Sequence, residues 1–581
     1  MRSKLASLTV ALAVPALACA PRATVTSAPQ PQPAGGRAPL PAQTLPLKHA
    51  PRPTSPEISA ADLMTRLYIF ADDSMQGREA GTIGNVKGTD YIAAEIKKLG
   101  LQPAGENGTY FQTIPLKTRA LGANPKLSVN GTALTPFVDF VPTGGVPLQA
   151  ASVQTVFGGL LGGEAPTITP EQASGKLVVL AFPAGATTGR LPRGLNLAGA
   201  AGVIIVGSES LAPQQIASAR RPSTFMHDGS SAARPMIMVT SSAGAKLFTT
   251  PLSQLKPGDT GATVTADVPY DVKPIEHPAR NVVGIIPGSD PTLKGQYVAI
   301  GAHNDHVGFN NRPVDHDSIR IWNHIVRPQG ADDGGKQATP ELQEKVNAEL
   351  AAFRAKNPGV ARQDSIFNGA DDDGSGSVTV LEIAEKIASM KVKPKRSMLF
   401  VWHVGEEKGL LGSRWYTDNP TVPRDSIVAQ LNMDMVGRGG AHDETGRTKD
   451  GQAVVGSANY LQLVGSHRLS TELGDIVESV NKSGGHNMFL DYSIDADGHP
   501  ANIYCRSDHY EYAKYGIPIV FFTTGLHSDY HQVTDEPQYI DYQHMTRVAK
   551  LVDDIAVHVA NLDHRVKLDK PKPDPKGVCR Q

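Results

Sequence analysis

An α/β fold, with a mixed, mostly parallel sheet flanked by helices and a β-rich domain inserted into it, is predicted by three features of the sequence. From Asn281 onward, apolar runs alternate with helical patterns, as in a largely parallel sheet covered by helices. Helical stripes also open the chain after Ser59. Between about Lys126 and Asp271 the texture changes to short Val/Ile/Thr-rich runs broken by Gly and Pro.

The 581 residues exceed what one core holds, because domains usually run about 100–200 residues, so two folded modules with insertions are expected. Hydrophobic residues make up 40% and charged residues 19%, with Lys+Arg 56 against Asp+Glu 57. This is the composition of an ordinary globular protein. The neutral balance gives no support for a nucleic-acid partner.

At the amino end, Arg2 and Lys4 precede an uncharged run from Leu5 to Leu17 that ends Ala16-Leu17-Ala18-Cys19. This is the pattern of an export signal over residues 1–19, and the run falls short of the roughly 20 apolar residues a bilayer span needs. Ala16 and Ala18 suit ordinary signal peptidase. Cys19 after Leu-Ala also resembles a bacterial lipoprotein box, although Ala16 stands where that box usually has Leu. The chain is therefore expected in the bacterial periplasm or outer cell envelope, attached to a membrane if Cys19 is lipidated, and otherwise secreted. Residues 20–56 hold ten prolines among Ala, Gln, Ser and Thr, a composition that cannot bury a core and reads as an extended linker. Only Cys505 and Cys579 remain in the mature body, where they either form one bridge or stay unpaired.

Ser59 begins a helical pattern, and a second runs from Asn85 to Leu99 with Val86, Tyr91, Ile92, Ile96 and Leu99 on one stripe. Residues 57–125 thus read as the first part of the main domain. Residues 126–271 form the β-rich module. Its clearest stretch is a strand at Gly175–Leu180, a small-residue helix at Leu195–Gly202, and a strand at Val203–Val206. That order resembles a protease-associated (PA) domain, a module often inserted in secreted peptidases. Residues 272–565 carry the main part, followed by a tail at 566–581. Four of its apolar runs are Tyr297–Ile300, Met398–Trp402, Ile427–Leu431 and Ile517–Phe522, and each is followed within a few residues by His, Asp or Glu.

Ligands bind open α/β sheets at the carboxyl ends of the strands, so residues there share a crevice. The sequence supplies His303, Asp372, Glu406, Glu407, Asp434 and His531 at that edge. Two imidazoles and several carboxylates are the ligand types that bind a pair of zinc ions, and one carboxylate can bridge both.

The motifs Gly301-Ala-His-Asn-Asp-His306, Gly369-Ala-Asp-Asp-Asp-Gly-Ser-Gly376, Gly405-Glu-Glu407, Leu431-Asn-Met-Asp-Met435, Arg506-Ser-Asp-His509 and Ser528-Asp-Tyr-His531 occur in one order. Together they resemble the zinc aminopeptidase family M28, over about 59–125 and 281–562. The resemblance implies two zinc ions per chain and peptide substrates. It implies that Asp372 bridges both ions, that His303 and Asp434 hold one, and that Glu407 and His531 hold the other. Asp371, Asp372 and Asp373 could each bridge; Asp372 is chosen because the family places this residue just before a short turn into a helix, here Val378–Met390.

Glu406 sits beside a ligand without binding itself, so it is the candidate general base, passing a proton from water to the leaving amine. Asp305, two residues beyond His303, can accept the imidazole's other N–H and fix its tautomer. Tyr530, next to His531, can donate to the oxyanion of a tetrahedral intermediate. His527 and His531 are four apart, but Ser-Asp-Tyr between them and a helix start near Asp535 favour a loop and His531 as the ligand. His306, His403 and His509 read as rim or supporting residues.

Asp371, Asp373, Ser375, Gly376 and Glu382 also match positions of a calcium-binding EF-hand loop, but Ser365–Ala370 is too short and Gly-broken for the helix leading in. There is no His-Glu-x-x-His and no Gly-x-Ser-x-Gly elbow. A Cys nucleophile is disfavoured because Cys505 stands in a strand-like Asn502-Ile-Tyr-Cys run.

The expected activity is therefore aminopeptidase. On the same scaffold a carboxypeptidase would use Arg438 or Arg506 to hold the α-carboxylate, a glutaminyl cyclase would need one zinc, and a degenerate copy would be a non-catalytic binding protein. Two insertions depart from the compact pattern, 310–368 with a helix at Pro340–Lys356 capped by Thr339, and 439–500. Both leave and return at the carboxyl edge, so they are expected to wall the pocket and set specificity.

Overall fold

The computed structural model describes residues 37–40, 45–162, 168–183, 186, 195–211, 213–227, 234–359 and 361–581. The signal over 1–19, Cys19 and the first part of the linker lie outside the described residues. The end of the linker lies against the fold: Arg37 donates to the His324 carbonyl at 2.7 Å, and the Tyr68 hydroxyl donates to the Pro46 carbonyl at 2.5 Å. Among the described residues no helix is long and apolar enough to cross a membrane.

The main sheet runs in the order Gln102–Pro103, Arg280–Ile286, Ser397–His403, Tyr297–His303, Ile427–Met433, Ile519–Thr523, Tyr460–Val464, Phe489–Asp491. The four strands from Ser397–His403 to Ile519–Thr523 are mutually parallel. Arg280–Ile286 and Tyr460–Val464 flank them antiparallel, which makes the sheet mixed around a parallel centre. Period-two alternation divides these strands between two faces. Val298, Ile300, Phe400 and Trp402 pack under helices Ala60–Phe70, Ile83–Lys98, Gly376–Ser389 and Tyr542–Asn561. Ala299, Leu399 and Val401 face the opposite core with Tyr416 and Tyr512. Each fully buried Val, Leu or Phe contributes about 1.5–3 kcal/mol, so the parallel centre is the rigid platform of the molecule.

The β-rich stretch forms its own eight-stranded sheet, in the order Thr132–Leu134, Lys126–Val129, Thr260–Val268, Leu148–Leu160, Leu177–Ala181, Gly202–Val206, Met236–Val239, Phe140–Pro142, with a separate core. Leu116–Leu121 and Tyr270–Pro274 pair antiparallel where the chain leaves and re-enters the main domain. The helix expected at Leu195–Gly202 is not formed. The Asn196 side chain accepts from the Ala198 N–H at 2.9 Å and Gly199 takes φ +75°, so the segment turns instead.

Helix Pro340–Lys356 starts at Thr339, whose side chain accepts from the Leu342 N–H, with Pro at the first position. Insertion 310–368 carries a further helix, His316–Val326, capped by Asp315. Tyr460–Val464 and Phe489–Asp491, within 439–500, extend the main sheet, so this stretch is structural as well as peripheral. The helix expected near Asp535 begins at Tyr542, because Asp535 is held at the functional site described below. Cys505 lies in a short 3-10 turn, Ile503–Cys505, rather than a strand, and is bonded to Cys579.

Candidate metal centre

Three parallel strands end at His303, His403 and Met433, and their carboxyl ends carry the site. His303 is the last residue of its strand and Asp434 follows Met433 directly. Gly405-Glu406-Glu407 leaves the end of Ser397–His403. The Asp371–Asp373 turn leads into helix Gly376–Ser389, and His531 stands on the loop after Ile519–Thr523.

Asp372 lies between two imidazoles. Its Oδ1 is 3.1 Å from His303 Nε2 and its Oδ2 is 2.9 Å from His531 Nε2. His303 Nε2 is also 3.7 Å from Asp434, and His531 Nε2 is 3.0 Å from Glu407. The five residues expected as ligands are thus brought together, with Asp372 central.

Its neighbours in the Asp run have other partners. Asp371 accepts from the Gly437 N–H at 2.7 Å and faces His527 at 3.2 Å. Asp373 accepts from the His303, Gly376 and Met435 N–H groups at 3.1, 2.9 and 3.2 Å. The turn itself is held from below: the Asp535 carboxylate accepts from the Asp371 and Asp372 N–H groups, and buried Arg78 donates to the Asn368 and Gly369 carbonyls. Glu382, the last position of the EF-hand-like pattern, points away and pairs with Arg66 at 3.1 Å.

The supporting residues differ in detail from expectation. His303 Nδ1 meets the Asp305 main-chain carbonyl at 3.1 Å, whereas the Asp305 carboxylate is 3.7 Å away. That carboxylate instead accepts from the Glu406 N–H at 3.2 Å, so Asp305 fixes both the imidazole and the Glu406 loop. Ser507 donates to Asp434 at 2.7 Å, a contact whose only signal was the Arg506-Ser-Asp-His motif. The Tyr530 ring stacks on His531 with centroids 4.0 Å apart, and its hydroxyl lies 3.5 Å from Arg506.

His306, read from the sequence as a rim or supporting residue, is fully buried with Nδ1 2.8 Å from Glu407. His403 meets the Tyr512 hydroxyl at 2.9 Å and His509 stacks on Phe521, so both belong to the packing beneath the site. The 310–368 insertion reaches the ligand loop: Ala331 N–H donates to the Tyr530 carbonyl at 3.1 Å.

Charge is balanced inside this network by protons. Burial disfavours charge on His303, but Asp305, Asp372 and Asp434 outweigh it and hold the imidazole well above its usual range. His531 is pushed up to about 11, since Glu407 and Asp372 overcome its burial. Burial would raise Asp372, yet His303 and His531 hold it well below the carboxylate range. Glu406, half-buried, has no such partner. Burial, joined by Asp434, Glu407 and Asp508 and opposed by His303, pushes its carboxyl well up. A divalent cation among these groups would compete with protons for the imidazoles, so metal binding would release them.

The donor set fits zinc. His303 Nε2, both His306 nitrogens and Glu407 Oε1 are buried without a hydrogen-bond partner, a costly state for polar atoms unless an ion completes them. Ligand atoms of His306, Asp372, Glu407 and His531 lie within 4.8 Å of one another, as do those of His303, Asp373 and Asp434. A third cluster, His316, Asp364 and Glu536, already contains a cation, because Arg362 pairs with both carboxylates.

Residues 355–556 match the family model for Peptidase family M28. Over this stretch, about a third of its length, the chain is similar to peptidase family M28. It is 27% identical over 262 residues to leucine aminopeptidase 1 of Trichophyton rubrum, covering 38% of this chain and 66% of that protein. It is 29% identical over 196 residues to leucine aminopeptidase 1 of Aspergillus fumigatus, covering 32% and 44%. The chain thus spans less than two thirds of the length of these relatives. Among solved structures, the aminopeptidase from Aneurinibacillus sp. strain AM-1 aligns with 16% identity over 89% of this chain and 97% of that one, with a TM-score of 0.46. BSAP, a zinc aminopeptidase from Bacillus subtilis, aligns with 18% identity over 87% and 96%, with a TM-score of 0.43.

The arginines a carboxypeptidase would need are engaged. Arg438 is buried between Asp443 and Asp529, and Arg506 is paired with Asp332.

Proposed function

We propose that this chain is a member of peptidase family M28, an exported zinc-dependent aminopeptidase that hydrolyses the amino-terminal bond of peptides. The observation carrying the reading is Asp372 set between His303 and His531, with Asp434 and Glu407 on either side. The relatives named leucine aminopeptidase favour peptide substrates with a free amino end. His303 and Asp434 would hold one zinc ion, Glu407 and His531 the other, and Asp372 both. Bound there, a zinc pair supplies Lewis acidity for the scissile carbonyl and brings the pKa of water toward about 7.

The chain's own residues handle the proton and the charge. Glu406 takes the proton from the attacking water and delivers it to the leaving amine, a role suited to a carboxyl whose proton affinity is raised by burial and by neighbouring carboxylates. The Tyr530 phenol is held well above its ordinary range by burial and by Asp372, so it stays protonated and can donate to the oxyanion. Asp305 keeps both His303 and the Glu406 backbone in place.

Export is supported by the basic, then apolar, amino end and by the Cys505–Cys579 bond, which persists in oxidising compartments. Lipidation of Cys19 would tether the enzyme to the cell envelope. The β-rich module is read as a PA-like domain, and the two insertions as determinants of specificity. Cleavage of matched peptides with free and blocked ends tests the activity.

A further inference from the structure

Beside the five expected ligands stands a buried imidazole, His306, that faces the same carboxylates, whereas buried His527 faces Asp371 instead. His306 has no exposed surface, and its Nδ1 lies 2.8 Å from Glu407 Oε1 and 3.7 Å from Asp372 Oδ2. Its ring meets the His531 ring edge-on, with centroids 5.4 Å apart and planes at 77°. The 2.8 Å separation is within hydrogen-bond reach, yet Nδ1 and Oε1 are both buried without a hydrogen bond of normal geometry. His303 Nε2 shows the same pattern against Asp372 at 3.1 Å. Ligand atoms of His306, Asp372, Glu407 and His531 that lie within 4.8 Å of one another, two of them without hydrogen-bond partners, suit a shared cation.

The imidazole is not free to turn away. The His306 N–H donates to the Arg78 carbonyl at 3.3 Å, and a Cβ at Gly369 would fall 2.5 Å from the ring's Cγ, so backbone closes off that side. Leaving an imidazole buried and unpartnered costs its desolvation without return.

We propose that His306, through Nδ1, is a third imidazole ligand at this centre, binding the zinc ion held by Glu407, His531 and Asp372. This rests on the two-zinc reading above. That ion then has four protein ligands, the number zinc takes in closed structural sites. The other, with His303, Asp434 and the shared Asp372, has three and keeps the open position of a catalytic site. The two sites are therefore unequal: one anchors its metal, and the other is where substrate chemistry is accommodated.

The test is zinc binding by the full chain, stripped by chelation and titrated with zinc against a chromophoric competitor, for the unaltered protein and for His306→Gln. Glutamine can still hydrogen-bond Glu407 but is a poor zinc ligand. Two sites of unequal affinity are expected, with His306→Gln weakening the tighter one by more than about 100-fold, beyond the usual 10–100-fold effect of a supporting hydrogen bond. X-ray absorption at the zinc edge of the unaltered protein checks the count without a variant, and should find three imidazoles shared by two ions rather than two. Two zinc ions bound with affinities unchanged by His306→Gln, or only two imidazoles in the absorption spectrum, would overturn the inference and leave the two-zinc reading intact. Failure of the unaltered protein to bind two zinc ions would remove both.

Discussion

Asp332, on the 310–368 insertion, accepts two hydrogen bonds from Arg506, at 2.7 and 3.0 Å, and Arg506 in turn approaches the Tyr530 hydroxyl beside His531. An insertion residue thereby neutralises a cation at the rim of the centre. Removing it with Asp332→Ala should free the guanidinium to pair with substrate carboxylates. Both groups are about one-third exposed, which limits such a pair to about 1 kcal/mol, or roughly fivefold. The expected result is that kcat/KM for short peptides with a free carboxyl end rises about fivefold relative to their amides. An unchanged ratio would show that Arg506 does not face the substrate.

Glu406→Gln should keep both zinc ions and lose turnover by about 10²–10⁴-fold, because it removes the proton carrier without removing a ligand. Paired measurement of kcat and bound zinc checks this. Full activity in the variant would require another base.

Arg66 is fully buried and donates to Glu95, Glu382 and Glu385, tying helix Ala60–Phe70 to helices Ile83–Lys98 and Gly376–Ser389. Arg66→Met leaves the Glu382 and Glu385 carboxylates without their cation, while Glu95 keeps Lys98. A loss of about 3–5 kcal/mol is expected in urea unfolding, with little direct effect on the metal ligands.

Asp553, on helix Tyr542–Asn561, is buried with Oδ1 unpartnered, and burial followed by Asp554 pushes its carboxyl up to about 7 from an ordinary 3.8. Between those values the folded chain holds a proton that the unfolded chain has released, so ionising Asp553 lowers stability as pH rises through that window. Asp553→Asn should therefore stabilise the protein at pH 8 by about 1–3 kcal/mol and give no gain near pH 4. Denaturant midpoints at the two pH values decide it.

The sheet was legible because its strands are apolar runs, and His303, Asp434 and the Glu406–Glu407 pair stood out because they lie at or just beyond such runs; Asp372 was singled out among three aspartates only by the family resemblance. His303, Asp434 and the Glu406–Glu407 pair needed no knowledge of strand order. What stayed hidden was non-local. The strand order that sets Ser397–His403 between Arg280–Ile286 and Tyr297–His303 leaves no trace in local sequence. The burial of His306 against Glu407 was not legible, because its spacing from His303 says nothing of how the chain turns after a strand end. Asp332 sits in an insertion whose path depends on packing against Tyr530. The Leu195–Gly202 segment failed as a helix because Gly199 and the Asn196 turn override a run of small residues. Asp535 delays the last helix because its carboxylate is already engaged by the Asp371–Asp372 amides.

The measurement closest to the central claim is zinc-dependent hydrolysis of one short peptide in three forms: free at both ends, acetylated at the amino end, and amidated at the carboxyl end. An aminopeptidase should cleave the free and amidated forms, lose the acetylated one, and stop when zinc is chelated. Equal cleavage of the acetylated form, or loss of turnover on amidation alone, would contradict the account.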